Sequence, residues 1–245
     1  MQIHILEHAD QIGLEAARES ERLIGEAIAE KGTARIVLST GASQFEFLQH
    51  FVKMNIEWDK VEMFHLDEYI GLSEQHPASF RKYLKERFLS AVNVKKAWLV
   101  DGEGNLDEVL AQLNEEISRA PIDVALIGIG ENAHIAFNDP PADFEDDRPF
   151  KIVNLTDTCK MQQVGEGWFP TIDDVPKQAI TMSVQQIMKS NHVISVVPRE
   201  SKAKAINDTI KGGVDNMVPA TMLKTHPSWS LYLDKLSSSQ MYTWC

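Results

Sequence analysis

The chain has 245 residues, 43% of them hydrophobic, enough for one large domain with a buried core. Its formal net charge of −12 disfavours nonspecific contact with nucleic acid, which depends on clustered Lys and Arg neutralising phosphates. The chain lacks the roughly 20 consecutive apolar residues of a membrane span and a basic, apolar leader at "MQIHILEHADQIG", so a soluble cytoplasmic protein without membrane contact is expected.

In chain order, the hydrophobic periodicity predicts a helix over 10–30, a strand over 35–39 (RIVLS) and a helix over 43–54. In that helix Phe47, Leu48, Phe51 and Val52 share one face, and Ser43 with Glu46 reads as a capping box. A strand follows over 61–66 (VEMFHL), a helix over 78–89, a strand over 96–100 (KAWLV), a helix over 106–119 and a strand over 124–129 (VALIGI). After a Pro- and Asp-rich loop over 139–150 come strands over 151–155 (KIVNL) and 178–182 (QAITM), a helix over 184–189, a strand over 192–197 (HVISVV), a helix over 200–211 and a strand over 229–233 (WSLYL). Several strands are continuous apolar runs, as when both sheet faces are covered by helices. The pattern predicts a single α/β domain over 1–245, a three-layer α/β/α sandwich with a mostly parallel sheet, and a loosely held tail over 235–245. The two cysteines, Cys159 and Cys245, lie far apart, outside any metal-ligand spacing, and fit a reducing compartment.

Ligands of open α/β sheets bind at the carboxyl ends of strands, which selects four stretches. "LSTGASQ" (38–44) carries Thr40, Gly41, Ala42 and Ser43 from a strand end into a helix. An anion-binding loop and a plain tight turn both fit it. "FHLDEYIGL" (64–72) ends a strand in Asp67 and Glu68. On extended backbone only one of them faces the cleft, where a base for proton abstraction beside a carbonyl is one reading and solvated charge the other. "GIGENAHIAFNDP" (128–140) places His134 near Asn132 and Asp139, either of which can fix a histidine tautomer. A packed histidine at a helix start is the bland alternative. The stretch is not a dinucleotide fingerprint, since no acidic strand end follows about 20 residues on. In "VVPRESKAKAI" (196–206) Lys202 falls in a first helical turn, where the dipole disfavours a cation. A bound anion and simple solvation both account for it.

Taken in order, "STGAS", "FHLDEYIGL", "HPASF", "GIGENAHIAFNDP", "VPKQAITM", "SKA" and "LKTHP" resemble the glucosamine-6-phosphate deaminase family, within the wider group that includes 6-phosphogluconolactonases. The likeness spans about residues 3–234, and "LDEYIGL" and "HIAFN" are its most specific parts. It implies a Rossmann-like sandwich that converts glucosamine 6-phosphate and water to fructose 6-phosphate and ammonia, with no metal or organic cofactor, as a monomer or small homo-oligomer. By the same resemblance Asp67 is the base that moves a proton between C2 and C1, and His134 opens the pyranose ring. Asn132 and Asp139 orient and tune His134, while Thr40, Gly41, Ala42, Ser43 and Lys202 receive the phosphate. A galactosamine-6-phosphate isomerase, a lactonase of the same fold and a noncatalytic sugar-phosphate sensor are the alternatives. The chain departs from the family pattern at several places. Asn132 stands where some members have Asp, and Asp139 where Glu is usual. Ala133 and Ser183 each replace a glycine, and "QQVGEGWFP" (162–170) lacks the arginine offered to the phosphate.

Overall fold

The computed structural model describes residues 1–241. In chain order its strands are β1 (Gln2–Leu6), β2 (Ala34–Leu38), β3 (Val61–His65), β4 (Asp67–Tyr69), β5 (Lys96–Trp98), β6 (Val124–Leu126), β7 (Phe150–Asn154), β8 (Gln178–Met182), β9 (His192–Val197) and β10 (Trp229–Asp234). The helices are α1 (Ala9–Lys31), α2 (Phe45–Phe51), α3 (Phe80–Leu84), α4 (Leu106–Ser118), α5 (Asp157–Gly165), α6 (Val184–Met188) and α7 (Ala203–Lys211).

Seven strands form one sheet in the order β1-β10-β9-β6-β2-β3-β5, and every pairing in it is parallel. The alternation along the central strands explains the layering. Ile36 and Leu38 of β2 join Met63 and the apolar face of α1 and α2 in one core, while Val37, Phe64 and Leu113 and Ile117 of α4 belong to the other. Side chains of period two thus feed both faces of the sheet, and a helical layer covers each.

Strand order reverses between β2 and β6. From β2 the chain builds outward through β3 and β5, and from β6 through β9 and β10. Such a switch point opens a crevice beyond the strand ends. Here Leu38 is in register with Leu126, and the Ser39 N–H donates to the Leu126 carbonyl at 3.0 Å.

Several details differ from the sequence reading. β7 and β8 do not enter the parallel sheet. They form an antiparallel sheet with β4 in the order β4-β8-β7, roofing a separate apolar cluster that includes Tyr69, Leu72, Phe137 and Phe169. Edge strand β1, partly exposed, was not expected. Nor was α5, whose N-terminus is capped by Thr156 accepting from the Cys159 N–H at 3.2 Å. The capping box at Ser43 does not form. A short tight turn over Ala42–Gln44 precedes α2, and the Ser43 hydroxyl accepts from Gln44 Nε2 instead. Residues expected to be a loose tail turn back onto β10: Ser237 and Ser238 are buried, and Asp234 accepts from the Ser237 N–H at 2.7 Å. The expectation for 242–245 lies outside the described residues.

One polar network fixes how the two sheets meet. Glu68 is fully buried and accepts from the N–H groups of Phe80 (3.2 Å) and Arg81 (2.8 Å) and from the Ser79 hydroxyl (3.0 Å) at the start of α3. The Arg81 guanidinium meets Glu68, Asp101 and Glu103. Burial raises the Glu68 pKa despite these donors, so the network is costly to charge but costlier to break. Glu68→Ala is expected to destabilise the protein by about 3 kcal/mol, because it orphans several buried donors at once. Urea unfolding measures it, and a loss under about 1 kcal/mol would mean the network contributes no more than a surface ion pair.

Candidate active site

The loops that leave β2, β3, β6 and β9 line an open cleft at the switch point, and all four sequence-selected stretches contribute to it. Thr40, Gly41, Ala42, Ser43, Asp67, His134 and Lys202 line it. Asn132 and Asp139 stand behind His134 rather than in the wall.

The loop after β2 is held from three sides. Ser39 Oγ accepts from the Gly128 N–H at 3.2 Å, the Tyr83 hydroxyl donates to the Gly41 carbonyl at 3.0 Å, and Gln44 Nε2 donates to the Val196 carbonyl at 3.1 Å. Gly41 has φ 105°, a value that requires a residue without Cβ. Its carbonyl also accepts from the Gln44 N–H, and that of Ala42 from the Phe45 N–H. With both acceptors engaged, the loop offers a ligand its amides and the Ser43 hydroxyl, the groups an anion needs. Gln44, only 2% exposed, was missed in the sequence because a polar residue there reads as solvent-facing.

Asp67 and Glu68 point to opposite sides of β4, as neighbours on extended chain must. Asp67 faces the cleft and has no ion-pair partner among the described residues. Burial, reinforced by the charge of Glu68, raises its pKa from 3.8 to about 8. His134 is arranged differently. Its Nδ1 lies 2.6 Å from Asn132 Oδ1 and 3.2 Å from Asp139 Oδ1. Asn132 Nδ2 in turn donates to Asp139 Oδ1 at 3.1 Å, and the Thr156 hydroxyl to Asp139 Oδ2 at 2.7 Å. Burial pushes the Asp139 pKa up, but hydrogen bonds from His134, Thr156 and Asn132 outweigh it and hold the carboxyl at about 2. Because both partners of Nδ1 are acceptors, Nδ1 carries the hydrogen and Nε2 keeps a lone pair for a substrate. The shorter Asp139 therefore does reach the histidine.

Lys202 sits in the tight turn ahead of α7 and is 6% exposed. Burial lowers its pKa, against the pull of Glu166 and Glu131. Part of the wall comes from the segment without an arginine: Gln162, Gln163, Glu166 and Trp168 line the cleft. Glu166 accepts from Gln162 Nε2 at 2.7 Å and from the Trp168 indole at 3.1 Å. No group of three or more His, Cys, Asp or Glu among the described residues could hold a metal ion, and no described helix is long and apolar enough to cross a membrane.

A family model described as glucosamine-6-phosphate isomerases/6-phosphogluconolactonase matches residues 7–231. The chain belongs to this family. A glucosamine-6-phosphate deaminase of Lactobacillus delbrueckii subsp. bulgaricus is 31% identical over 240 residues, covering 98% of this chain and 99% of the relative. One of Thermoanaerobacter pseudethanolicus is 34% identical, covering 92% and 90%. Among solved structures, a monomeric glucosamine-6-phosphate deaminase superposes with a TM-score of 0.89 at 26% identity, covering 98% and 99%. The 6-phosphogluconolactonase of Trypanosoma brucei superposes at 0.77 with 15% identity, covering 98% of each chain, which speaks for the shared fold alone.

Within this family's fold, the two glycine replacements have different consequences. Ser183 has φ −71° and caps α6 by accepting from the Gln186 N–H, so the serine is unstrained. Ala133 adopts φ 63°, left-handed backbone that costs an alanine about 1–2 kcal/mol. Its buried methyl belongs to the apolar core, an offset of about 0.8 kcal/mol. Gly130 cannot change in this way. A Cβ there would fall 2.2–2.4 Å from the His134 ring atoms, so the ring lies directly against the glycine backbone. Gly130→Ala is expected to displace the imidazole and lower turnover about 100-fold while the far-ultraviolet circular dichroism stays that of the wild type. Turnover within about threefold of wild type would show that the ring position against Gly130 is not needed.

Proposed function

We propose that this chain is a glucosamine-6-phosphate deaminase acting in the cytoplasm as a monomer. The observation that carries the reading is the meeting of Asp67 and His134 in one cleft, where Asp67 and the Asp139 carboxylate behind His134 are pushed in opposite directions by their environments. Separated proton affinities mark distinct acid-base roles. Deaminase relatives at 31–34% identity over nearly the whole chain support the substrate class, and the monomeric deaminase among the solved structures supports the monomer.

The chemistry needs two proton transfers. His134 Nε2 takes the proton of the anomeric hydroxyl and returns it to the ring oxygen, opening the sugar, while Asp139 stabilises the transient imidazolium through Nδ1. Ionised Asp67 then removes the C2 proton of the open aldose and delivers it to C1. The C2 carbon is left as an imine, which water converts to the ketone and ammonia. The amides of 41–43, the Ser43 hydroxyl and Lys202 hold the phosphate at the other end of the cleft, fixing C1 and C2 against the two catalytic groups. A sensor would need the phosphate grip but not the proton-transfer pair.

Ammonia release from glucosamine 6-phosphate tests the assignment, with galactosamine 6-phosphate and 6-phosphogluconolactone run alongside. Ammonia only from the galactosamine epimer, or hydrolysis only of the lactone, would overturn it in favour of that chemistry. Because Asp67 acts as the ionised base and is protonated below its pKa, kcat/KM is expected to climb with pH, to be half-maximal near pH 8 and to level off only above it. A profile flat from pH 6 to 9 would remove Asp67 as the base. Asp67→Asn is expected to abolish turnover and also to stabilise the fold. The folded protein holds the Asp67 proton up to about 8, whereas the unfolded chain releases it near 3.8, so wild-type stability falls as pH rises through that interval. The melting-temperature advantage of Asp67→Asn should therefore be absent at pH 4, grow with pH and saturate above 8. An advantage independent of pH would argue against a buried, raised carboxyl.

A further inference from the structure

Arg199 adopts backbone angles that residues with a side chain avoid, φ 81° and ψ 147°, a region reserved almost entirely for glycine. Its surroundings over-determine this conformation. The Arg199 N–H donates to both carboxylate oxygens of Asp234, at 3.2 and 3.0 Å, and its carbonyl accepts from the Lys202 N–H at 3.1 Å. The side chain is carried to the first turn of α2, where Nη2 donates to Glu46 Oε1 at 2.8 Å. Glu46 is three residues beyond Ser43, so the guanidinium lies against the helical turn that follows the anion-binding loop, outside the residues that line the cleft. It is close enough to Lys202 and to Tyr83, which holds the Gly41 carbonyl, to act on the charge of both.

The Arg199–Glu46 pair is only half satisfied. Arg199 Nη1 and Glu46 Oε2 are both buried without a hydrogen-bond partner among the described residues, and a buried guanidinium N–H without an acceptor is costly. The charge balance of the cleft points the same way. Lys202, which lines the cleft, is opposed by Glu166 and Glu131, and the segment over 162–170 brings two glutamines and a carboxylate to the wall but no cation. A phosphate dianion there calls for a further positive group.

We propose that Arg199 is a second phosphate-anchoring cation, which shares its guanidinium between Glu46 and the anionic group held by residues 41–43 and Lys202. The inference rests on the phosphosugar reading of the cleft and names a residue for it. A planar guanidinium can keep one N–H pair on a carboxylate while directing another at a phosphate oxygen, which a lysine cannot do. The strained backbone is thus retained for where it delivers the side chain.

Arg199→Gly and Arg199→Gln test this, with inorganic phosphate binding followed by calorimetry and glucosamine 6-phosphate turnover followed by ammonia release. In both variants the phosphate Kd and the KM are expected to rise about tenfold or more, with kcat within about threefold of wild type. Arg199→Gly should also melt no lower than wild type, since glycine relieves the backbone. Glu46→Gln, which frees the guanidinium, should bind phosphate as well as wild type or better. The proposal is overturned if Kd and KM stay within about twofold of wild type in the variants, whether or not they melt lower, or if the loss is confined to kcat. Should Arg199→Gly fail to fold, Arg199→Gln decides. A wild type that binds phosphate but releases no ammonia would sink the deaminase reading alone, and the calorimetry would still judge Arg199. A wild type that binds no phosphate overturns both.

Discussion

The chain leaves the parallel sheet after His65 and joins the antiparallel one at Asp67, and the corner at Leu66 is pinned from both sides. The Leu66 N–H donates to the Leu38 carbonyl at 3.2 Å, while its own carbonyl accepts from the Met182 N–H at 3.0 Å. One residue thus belongs to both sheets, and the extended backbone that follows must send Asp67 and Glu68 to opposite sides. Glu68 receives every available donor, from the start of α3 to Arg81. Asp67 receives burial without a counter-ion. The fold therefore spends its cation on the structural carboxylate and leaves the reactive one hungry for a proton, which is how a base for carbon acidity has to be kept.

The histidine side of the cleft is built on the opposite rule. Asp139 is surrounded by donors and stays ionised, so it can orient an imidazole and steady its positive form without competing for the proton. Cys159, buried nearby, has its thiol pushed up by burial and by the charges of Asp139 and Asp67, which keeps a second nucleophile silent. Two carboxylates of similar intrinsic acidity end far apart because one has partners and the other has none. Alanine at 133 is compatible with this arrangement, since the loop geometry depends on the contact between Gly130 and the ring.

Much of this was legible in the sequence because strand ends are local: an apolar run followed by a polar, chemistry-bearing residue marks both the strand and its exit. The parallel sheet and the four strand ends that meet in the cleft follow from that signal, whereas the roles of Asp67, His134 and Lys202 are implied only by the family resemblance. What could not be read depended on partners distant in the chain. β7 and β8 read locally like any other strands, and only the pairing of β8 with β4, more than 100 residues earlier in the chain, and of β7 with β8 assigns them to a second sheet. Gln44 reads as surface until β9 presents the Val196 carbonyl. Ser43 and Glu46 have capping-box spacing, but Gln44 and Arg199 engage their side chains. Arg199 was invisible for a different reason: its φ depends on Asp234 at the end of β10, and no local pattern predicts a strained arginine.

The acidic balance of the chain then bears on selectivity. With 36 acidic and 24 basic residues, the long-range field repels a phosphorylated sugar, and salt screens what remains beyond about 8–10 Å. On the proposed phosphosugar reading, affinity has to arise locally, from amides, a hydroxyl, Lys202 and Arg199. Burial lowers the pKa of that lysine, so its charge is uncomfortable until an anion arrives. A sugar without phosphate would leave the ammonium desolvated and unpaired, and a polar group left so is penalised more heavily than a formed contact is rewarded. On the same proposed reading, discrimination against unphosphorylated sugars would therefore come from the cost already built into the empty grip, in spite of the field of the whole molecule.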